Sequence, residues 1–387
     1  MLKKKYDAIV VGAGIVGLAM SRALAKRGKS VLVLEKSEFA VGASIRNFGM
    51  VWPIGQPEGD LYERALLSRR IWQEIFQDSS IWHEEAGSLH LAYTELEMEV
   101  INAFYGQVKS KRPYSLIDAN EACKMSSSIV SNQLVGGLYS PEEMIVDAPK
   151  AIKQLPAYLH ERLGVEFLWK KPVHAVETGL VYSGADIFVA DEIFVCSGPD
   201  FESLFPDLFA KAPITRCKLQ MMRFAAQPDA WRMGPSLCGG LSLLHYKGFQ
   251  AAGNILDQLH ASFKQANPDF FKWGIHVMVS QNEIGELIIG DSHEYGHTHD
   301  PFERSEINEL ILNYLSSFAR FDKETIAATW NGIYPKMTDG RTEFIQSPLP
   351  GVTVVNGLGG AGMTLSFGLC EQLVGGQYKH TENFINL

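Results

Sequence analysis

Residues 11–17 read VGAGIVG, and this glycine-rich stretch decides the fold. A β-branched run precedes it at residues 6–11, and a segment with helical spacing of apolar residues follows and ends at Gly28. Residues 30–34 form a second apolar run, so the start of the chain predicts a βαβ unit. The first glycine permits a tight turn, the second lets backbone amides approach a pyrophosphate, and the third lets helix and strand pack closely.

Glu35 stands at the end of the second predicted strand, 18 residues after Gly17. At that distance a carboxylate can accept hydrogen bonds from both ribose hydroxyls, and it would repel a 2′-phosphate. The helix N-terminus adds partial positive charge for the phosphates. A glycine turn without a ligand is the alternative, but the strand, helix and acid around this turn favour a dinucleotide site. The fingerprint alone leaves FAD and NAD open.

A second glycine-rich turn, GLGGAGMT at residues 357–364, lies between a predicted strand at 352–355 and a predicted helix at 363–373. Such a turn offers amide donors and a helix N-terminus, which would stabilise the negative charge that a flavin gains at N1 and C2=O on reduction. A connection without a ligand is again the alternative. Two such turns at opposite ends of one chain suit a long ligand in a composite site, which favours FAD.

The composition is that of a globular protein. The chain has 387 residues, enough for two or three domains, and 46% are apolar and 20% charged. A net charge of −9 without a long basic run argues against nucleic acid as a partner. The five cysteines form no C-x-x-C pair, which fits a reducing compartment, and no apolar run is long enough for a membrane span. The sequence therefore predicts a cytoplasmic protein, and its oligomeric state stays open.

Nucleotide-type signals at both termini flank a middle that is rich in short predicted strands. Residues 227–274 are irregular and aromatic-rich, which is typical of a lid. We therefore predict a mixed α/β fold, in which a Rossmann-like FAD-binding domain is interleaved with a substrate domain built on an antiparallel or mixed β-sheet. The first domain is expected at residues 1–80, 145–215 and 330–387, and the second at residues 81–144 and 216–329.

The whole chain resembles the FAD-dependent amine oxidoreductases that include D-amino acid oxidase, glycine oxidase and monomeric sarcosine oxidase. Besides both glycine-rich turns, the resemblance rests on GASIRN at 42–47, FVCSG at 194–198, the hairpin at 284–290 and WNGIYP at 330–335. It implies that FAD extends along the first domain and that the substrate binds between the flavin and the second sheet. By this resemblance and the fingerprint, the residues expected to contact FAD are Gly12, Gly14, Ile15, Val16, Gly17, Glu35, Lys36, Ser44, Arg46, Asn47, Val173, Gly198, Gly359, Gly360, Gly362, Met363 and Thr364.

Several positions depart from the pattern of that family. No cysteine stands at residues 325–345, where sarcosine oxidase attaches its flavin, so non-covalent FAD is expected. Tyr334 stands where glycine and D-amino acid oxidases hold the substrate carboxylate with an arginine. Trp52 and Thr364 replace an arginine and a lysine of sarcosine oxidase, and Ile288 replaces the lysine that helps its flavin react with oxygen.

This combination resembles a narrower clade associated with aminophosphonate breakdown, whose signatures match residues 44–49, 217–221, 290–295 and 362–364. The resemblance implies oxidation of a primary or N-methyl amine similar to 2-aminoethylphosphonate. A phosphonate is a tetrahedral dianion, so it needs cations and amide donors in an arrangement that differs from a carboxylate clamp.

Five side chains are candidates to face the substrate. Alternation along the predicted strand that holds Lys218 and Gln220 places both on one face, where we expect them to meet the anion and the amine. A solvated or interdomain face is the alternative for either residue. His276, Tyr334 and Trp52 are further candidates. A core histidine hydrogen-bonded to the backbone is the favoured interpretation of His276, and Tyr334 can either donate to a bound anion or serve only in packing.

The expected reaction is hydride transfer to flavin N5 from the carbon next to an uncharged amine nitrogen, giving an imine that hydrolyses to an aldehyde. No second G-x-G-x-x-G unit for a nicotinamide cofactor is present, so the electrons are expected to pass to oxygen or another acceptor. No metal is expected, because the three histidines at residues 293–299 lack a nearby cysteine to complete a tetrahedral site. The alternatives are a glycine- or sarcosine-type oxidase, a hydroxy-acid or glycerol-phosphate dehydrogenase, and a non-catalytic FAD-binding subunit.

Overall fold

A computed structural model describes residues 4–378 and confirms the mixed α/β fold, with three β-sheets and eleven α-helices in that range. The strands are β1 (Lys5–Val11), β2 (Val31–Leu34), β3 (Met50–Val51), β4 (His83–Glu84), β5 (Ser88–Ala92), β6 (Ser115–Asp118), β7 (Gly136–Ser140), β8 (Met144–Val146), β9 (Glu166–Leu168), β10 (Ala175–Glu177), β11 (Leu180–Ser183), β12 (Asp186–Val195), β13 (Ile214–Phe224), β14 (Ser236–Cys238), β15 (Met278–Gln281), β16 (Leu287–Gly290), β17 (Glu294–Gly296), β18 (Ile326–Met337), β19 (Phe344–Leu349) and β20 (Val352–Asn356). The α-helices are α1 (Ile15–Ala25), α2 (Asp60–Gln77), α3 (Glu95–Val108), α4 (Ala119–Met125), α5 (Ala148–Leu163), α6 (Pro206–Lys211), α7 (Leu241–His245), α8 (Asn254–Ala266), α9 (Pro268–Lys272), α10 (Ser305–Phe318) and α11 (Gly362–Val374).

The first sheet has eight strands and a parallel centre. Its order is β10-β11-β12-β1-β2-β9, with β20 also paired to β12 and β19 paired to β20. Strands β2 and β12 flank β1 in parallel, and β20 continues the parallel arrangement beside β12. All four residues of β2, which read VLVL, are buried, as expected for a strand covered on both faces. Helices α1, α2, α5 and α11 pack together in the main core on one side of this sheet.

The turn between β1 and α1 requires glycine at two positions. Gly12 has a φ of +102°, and a Cβ there would lie 2.5 Å from the carbonyl oxygen of Cys196. A Cβ on Gly17 would lie 1.9 Å from the carbonyl oxygen of Gly12. Both distances are too short for non-bonded atoms, so the turn that the sequence predicts closes only with glycine at these positions.

The second sheet has nine strands in the order β17-β13-β16-β15-β14-β5-β7-β6, with β18 paired to β13. Strands β13 and β18 form a long antiparallel pair that places Cys217 opposite Tyr334. One face of β13, including Met222, packs in a core with α10. The other face packs Leu219 and Met221 against Tyr334. A third, small sheet has the order β3-β8-β4.

Some elements differ from the sequence prediction. Residues 227–274, expected to be irregular, contain β14 and the helices α7, α8 and α9. Gly253 precedes α8 and Pro268 is the first residue of α9. Because glycine and proline are typical of turns, the sequence of these short helices resembled that of a loop. In the middle of the chain, where short strands were expected, residues 186–195 form the single ten-residue strand β12. Strands β18 and β19 and helix α3 were not predicted.

The division into two domains stays a prediction. The first sheet takes its strands from residues 5–34, 166–195 and 344–356, and the second takes its strands from residues 88–140 and 214–337. Residues 1–3 and 379–387 of the predicted first domain lie outside the described residues. Among residues 4–378, no helix has the length together with the hydropathy that a bilayer crossing requires.

Candidate active site

A cavity of about 550 Å³ is lined by both glycine-rich turns, by residues of the 40–56 segment and by strands of the second sheet. Its volume lies within the usual range for ligand pockets. The two ends of the sequence therefore meet in one site, because α11 packs beside α1 and brings the C-terminal turn next to the N-terminal one.

All the residues expected to contact FAD line this cavity except Gly17, although contact with FAD itself stays a prediction. The residues that line it are Gly12, Gly14, Ile15, Val16, Glu35, Lys36, Ser44, Arg46, Asn47, Val173, Gly198, Gly359, Gly360, Gly362, Met363 and Thr364. Gly17 does not line the cavity and packs against the Gly12 carbonyl behind the turn, and its expected contact with the cofactor stays a prediction.

The carboxylate of Glu35 is held on the N-terminal turn. Its Oε2 accepts a hydrogen bond from the Ala13 amide at 2.9 Å, and its Oε1 accepts one from the Ser37 amide at 2.9 Å. Each carboxylate oxygen has a further lone pair, so the group can still accept hydrogen bonds from two ribose hydroxyls. Lys36 beside it is exposed and pairs with Asp200 at 3.0 Å.

The space in front of α1 suits a phosphate. A Cβ on Gly14 would meet only Ser44 Oγ, at 3.1 Å. Two polar atoms that belong to lining residues, Ser197 Oγ and Trp52 Nε1, are buried without a hydrogen-bond partner among the described residues. Buried polar atoms are normally paired, so both point to a polar ligand in the cavity. These features fit FAD.

The loop that follows β2 is hydrogen-bonded to the start of α1 and to the second sheet. Ser44 Oγ accepts a hydrogen bond from the Ile15 amide at 2.9 Å. Arg46 Nη1 donates to the carbonyl oxygen of Asn331 on β18 at 3.1 Å. The Asn47 side chain donates to the carbonyl oxygens of Ala43 and Ser44, both at 3.0 Å. The loop therefore holds its lining residues between the nucleotide turn and the second sheet.

The C-terminal turn closes the cavity from the opposite side. Residues Gly359–Ala361 form a short 3-10 helix, and α11 begins at Gly362 with its positive end at the cavity. The Trp52 amide donates to Thr364 Oγ1 at 2.9 Å, and Trp72 Nε1 donates to the Met363 carbonyl at 3.1 Å. A Cβ on Gly360 would lie 3.6 Å from the Tyr334 hydroxyl, so this turn directly faces the second sheet.

Three of the five candidates for substrate contact, Trp52, His276 and Tyr334, line the cavity. Tyr334 is buried, and burial raises the pKa of its hydroxyl well above the usual value, so the group stays protonated and can donate a hydrogen bond. These three residues are far apart in the sequence, and only the fold brings them to the same cavity.

The expectation for Lys218 and Gln220 is wrong. Lys218 Nζ is buried on the other face of β13 and donates to the carbonyl oxygens of Asp300 and Phe302, both at 2.7 Å. Gln220 Nε2 donates on the same side, to the Arg304 carbonyl at 3.0 Å. Alternation along the strand was predicted correctly, but the apolar neighbours Leu219 and Met221 are the residues that line the cavity. Alternation separates two faces without saying which one meets the site.

Sequence reasoning named His276 as a candidate but missed the two histidines that join it at the cavity. His245, His276 and His293 line it together with Asp291. The Nδ1 atom of His276 lies 2.8 Å from Asp291 Oδ1. His245 belongs to the region that was expected to be irregular, and His293 was grouped with the histidines that follow it in sequence. His297 and His299 are not among the lining residues.

Two lysines add positive charge to the wall. Lys336 on β18 donates to the Tyr295 hydroxyl at 2.8 Å, and burial lowers the pKa of its ammonium group. Lys247 donates to the Gly340 carbonyl at 2.7 Å, and burial lowers its pKa as well. Both line the cavity. A lowered lysine pKa reflects desolvation, which also strengthens the attraction of the charged form for an anion.

The sequence is similar to those of known oxidoreductases. The family model described as "FAD dependent oxidoreductase" (DAO) matches residues 7–375. The chain is 22% identical over 359 residues to glycine oxidase of Bacillus licheniformis, covering 90% of this chain and 86% of that protein. It is 23% identical over 397 residues to a subunit of the opine oxidase of Agrobacterium tumefaciens, covering 97% of this chain and 95% of that protein.

Solved structures show the same fold. The structure of glycine oxidase from Geobacillus kaustophilus superposes with a TM-score of 0.76 at 21% identity, covering 97% of this chain and 96% of that one. Iminodiacetate oxidase from Chelativorans sp. BNC1 superposes with a TM-score of 0.75 at 18% identity, with the same coverage. An α-glycerophosphate oxidase from Mycoplasma pneumoniae, solved with FAD bound, gives a TM-score of 0.73 at 16% identity, covering 99% of this chain and 97% of that one.

Proposed function

This chain belongs to the family of FAD-dependent oxidoreductases, and from that premise we propose that it oxidises a small primary or N-methyl amine that carries an anionic group. One observation carries the proposal. The cavity that runs between the two glycine-rich turns also holds a wall of histidine, tyrosine, tryptophan and lysine side chains from the second sheet and its neighbours. A cofactor site and a polar substrate site are thus continuous.

When bound, FAD supplies the acceptor for a hydride from the carbon next to the substrate nitrogen. Residues of the two glycine-rich turns would hold it, and the positive end of α11 favours negative charge at that side of the cavity. We propose that FAD is held without a covalent bond, because residues 325–345 contain no cysteine. Acid precipitation should therefore release the flavin into the supernatant.

The substrate nitrogen must lose its proton, since a free alkylammonium group has a pKa near ~10. Desolvation in the cavity favours the uncharged amine. Desolvation also lowers the pKa of His293, and it lowers that of His245 although water reaches this ring through the cavity. Uncharged imidazoles add no positive charge to the wall, whereas imidazolium ions would repel a cationic substrate.

For the anionic group we propose a phosphonate. Tyr334 stands in place of the arginine expected in glycine oxidases, and the wall offers its hydroxyl together with the ammonium groups of Lys336 and Lys247. Separate donors suit a tetrahedral dianion better than a planar carboxylate, which an arginine holds with two parallel hydrogen bonds. The oxidised product, an imine, adds water and releases an aldehyde with ammonia or methylamine. Oxygen or another acceptor takes the two electrons.

The second candidate is a glycine- or sarcosine-type oxidase. It is favoured by the glycine oxidases among the relatives and among the structures with the same fold. The two candidates share the amine chemistry and differ in the anion, so one experiment separates them.

The test is anaerobic mixing of the flavin-loaded protein with a panel of substrates, followed through the loss of flavin absorbance. The panel contains 2-aminoethylphosphonate, its N-methyl derivative, glycine, sarcosine and ethylamine, with glycerol 3-phosphate as a substrate without nitrogen. We expect the fastest bleaching with an aminophosphonate. A clear preference for glycine or sarcosine would establish the second candidate, and bleaching by glycerol 3-phosphate alone would overturn amine oxidation. A flavin that no compound bleaches would indicate a non-catalytic subunit.

A further inference from the structure

Three imidazole rings converge at the wall of the cavity. We call His245, His276 and His293 the three-histidine cluster, because one ring nitrogen from each lies within 4.8 Å of the other two. Their ring centroids are 3.9, 4.6 and 5.5 Å apart. The members come from the end of α7, the segment before β15 and the segment after β16. Nothing in the amine chemistry described above requires three imidazoles at one point.

Backbone hydrogen bonds hold two of the three residues in place. The His276 amide donates to the Asp291 carbonyl at 3.1 Å, and the Asp291 amide donates to the His276 carbonyl at 2.7 Å. The His293 amide donates to the Trp273 carbonyl at 2.8 Å. The pairing continues the β15–β16 hairpin, so the residues are held by the sheet and not by a free loop.

The hydrogen bonds around His293 select its tautomer. Nδ1 lies 2.9 Å from the carbonyl oxygen of Gly274, and a carbonyl only accepts, so Nδ1 carries the proton. The Nε2 atom therefore presents a lone pair. A histidine whose other ring nitrogen donates to a backbone carbonyl or a carboxylate is the usual form of a metal ligand.

Buried polar atoms at the cluster lack partners. Both ring nitrogens of His276 and the Oδ1 atom of Asp291 make no well-oriented hydrogen bond among the described residues, although Nδ1 and Oδ1 are only 2.8 Å apart. Both residues are more than nine-tenths buried. Unpaired buried polar atoms are costly, which is the pattern expected where a ligand completes the site.

We propose that the three-histidine cluster binds a divalent transition-metal ion, and that Asp291 orients His276 as an outer-shell partner. Imidazole ligands suit zinc, iron, nickel and copper, and three protein ligands leave a position open for a further ligand. Metal–nitrogen bonds of about 2.1 Å in a tetrahedral site would bring the nitrogens to about 3.4 Å apart. The three nitrogens, which lie within 4.8 Å of one another, would therefore move closer together on binding.

All three histidines line the cavity, so we expect the open position to be within reach of an anionic oxygen of the substrate. This role of the metal rests on the proposed function. A divalent metal attracts a phosphonate or carboxylate oxygen strongly, so it would hold the substrate anion in place of the missing arginine. Metal binding itself does not depend on the proposed function and is measured without substrate.

The first experiment measures metal on the FAD-loaded, full-length protein. After removal of metals with EDTA and buffer exchange, Zn²⁺ is titrated calorimetrically, and zinc content is measured by elemental mass spectrometry. We expect about one Zn²⁺ per chain. Asp291→Asn removes the outer-shell partner and should weaken Zn²⁺ binding by ~10–100-fold. His245→Gln and His276→Gln each remove a metal ligand and should weaken Zn²⁺ binding more than that. His260→Gln, which alters an exposed histidine on α8, should leave binding unchanged.

Absence of stoichiometric Zn²⁺ binding by the wild-type protein would overturn the proposal, as would unchanged binding by both cluster variants. FAD content and thermal midpoint are recorded for each variant, so that a misfolded variant is not counted as a lost ligand. Zinc bound at the cluster of a protein whose flavin no amine reduces supports the metal site and rejects only the proposed function. If amines reduce the flavin with the same KM before and after EDTA treatment, the role of the metal in holding the substrate is rejected.

Discussion

Oε2 of Glu35 accepts a hydrogen bond from the backbone amide of Ala13, with 2.9 Å between the two atoms. The contact ties the acid at the end of β2 to the glycine-rich turn before α1. It holds the carboxylate ready at the cavity wall, so that little side-chain entropy is lost when a ribose binds.

Glu35→Ala should therefore weaken FAD binding by roughly 10–100-fold, the effect of losing hydrogen bonds to a charged group worth about 1.5–3 kcal/mol. The dissociation constant is measured by titrating apoprotein with FAD and following the quenching of flavin fluorescence. Glu38→Ala is the matched control, because Glu38 is exposed and pairs with Lys170 away from the cavity. Equal affinities of the Glu35 variant and the wild type would disprove the ribose assignment.

Two glycines of the same turn should respond differently to alanine. Gly14→Ala meets only Ser44 Oγ at 3.1 Å and keeps an allowed backbone, so the chain should fold but lose FAD because the new methyl group occupies the phosphate space. Gly17→Ala would place its Cβ 1.9 Å from a carbonyl oxygen, so the β1–α1 packing itself should fail. Circular dichroism, the thermal midpoint and flavin content together distinguish the outcomes. A Gly14 variant that retains full FAD would contradict the placement of the phosphates.

Lys336 and Lys218 offer a matched pair on adjacent strands. Lys336→Met should raise KM for an anionic amine by about 10–100-fold through the loss of one charge-assisted hydrogen bond, with little change in the thermal midpoint. Lys218→Met should do the reverse. It leaves the carbonyl oxygens of Asp300 and Phe302 without their donor, so the free energy of unfolding should fall by about 2–4 kcal/mol while KM stays the same.

Steady-state kinetics and denaturant unfolding of both variants provide the measurements. A rise in KM for Lys218→Met that matches the rise for Lys336→Met would indicate that both lysines reach the substrate, contrary to the structure.

Glu143 makes stability depend on pH. Burial raises the pKa of its carboxyl group to about 7, and the Ile54 amide and the Ser88 hydroxyl donate to its two oxygens. The folded protein therefore binds this proton more tightly than the unfolded chain does, whose value is near 4.5. The stabilising contribution is complete below pH 4.5 and is lost as the pH rises through 7, by roughly 3 kcal/mol.

Glu143→Gln keeps an uncharged group at this position and should remove that loss. As the pH rises from about 4.5 to about 7.5, the wild type should lose this stability and the variant should keep its own, so the free energy of unfolding of the variant should rise relative to that of the wild type. Urea unfolding at several pH values measures both. Glu309→Gln, at an exposed position on α10, is the control for general charge effects. A difference that stays constant over this range would refute the assignment.

Much of the candidate site could be predicted from short stretches of sequence. The glycine spacing at residues 11–17, the acid at Glu35 and the turn at 357–364 each act through local backbone geometry, and all three line the cavity. The helices at 241–272 could not be predicted in this way, because glycine and proline residues between short helices resemble a loop. The contacts of Lys218 were mispredicted, because a polar side chain in a strand can face a binding site or can instead be buried against the backbone of a neighbouring segment. Lys218 does the second, since it donates to the carbonyl oxygens of Asp300 and Phe302.

Local patterns in the chain were enough to specify the βαβ turn and the second glycine-rich turn, since glycine spacing and strand–helix order restrict the backbone locally. Taken together, the two turns favoured FAD as the cofactor. Which face of β13 meets the cavity, and which distant side chains gather there, emerged only from the folded arrangement. His245, His276 and His293 come from the end of α7, the segment before β15 and the segment after β16, and they meet only in the folded chain. Such contacts depend on the whole core, and no spacing along the chain encodes them.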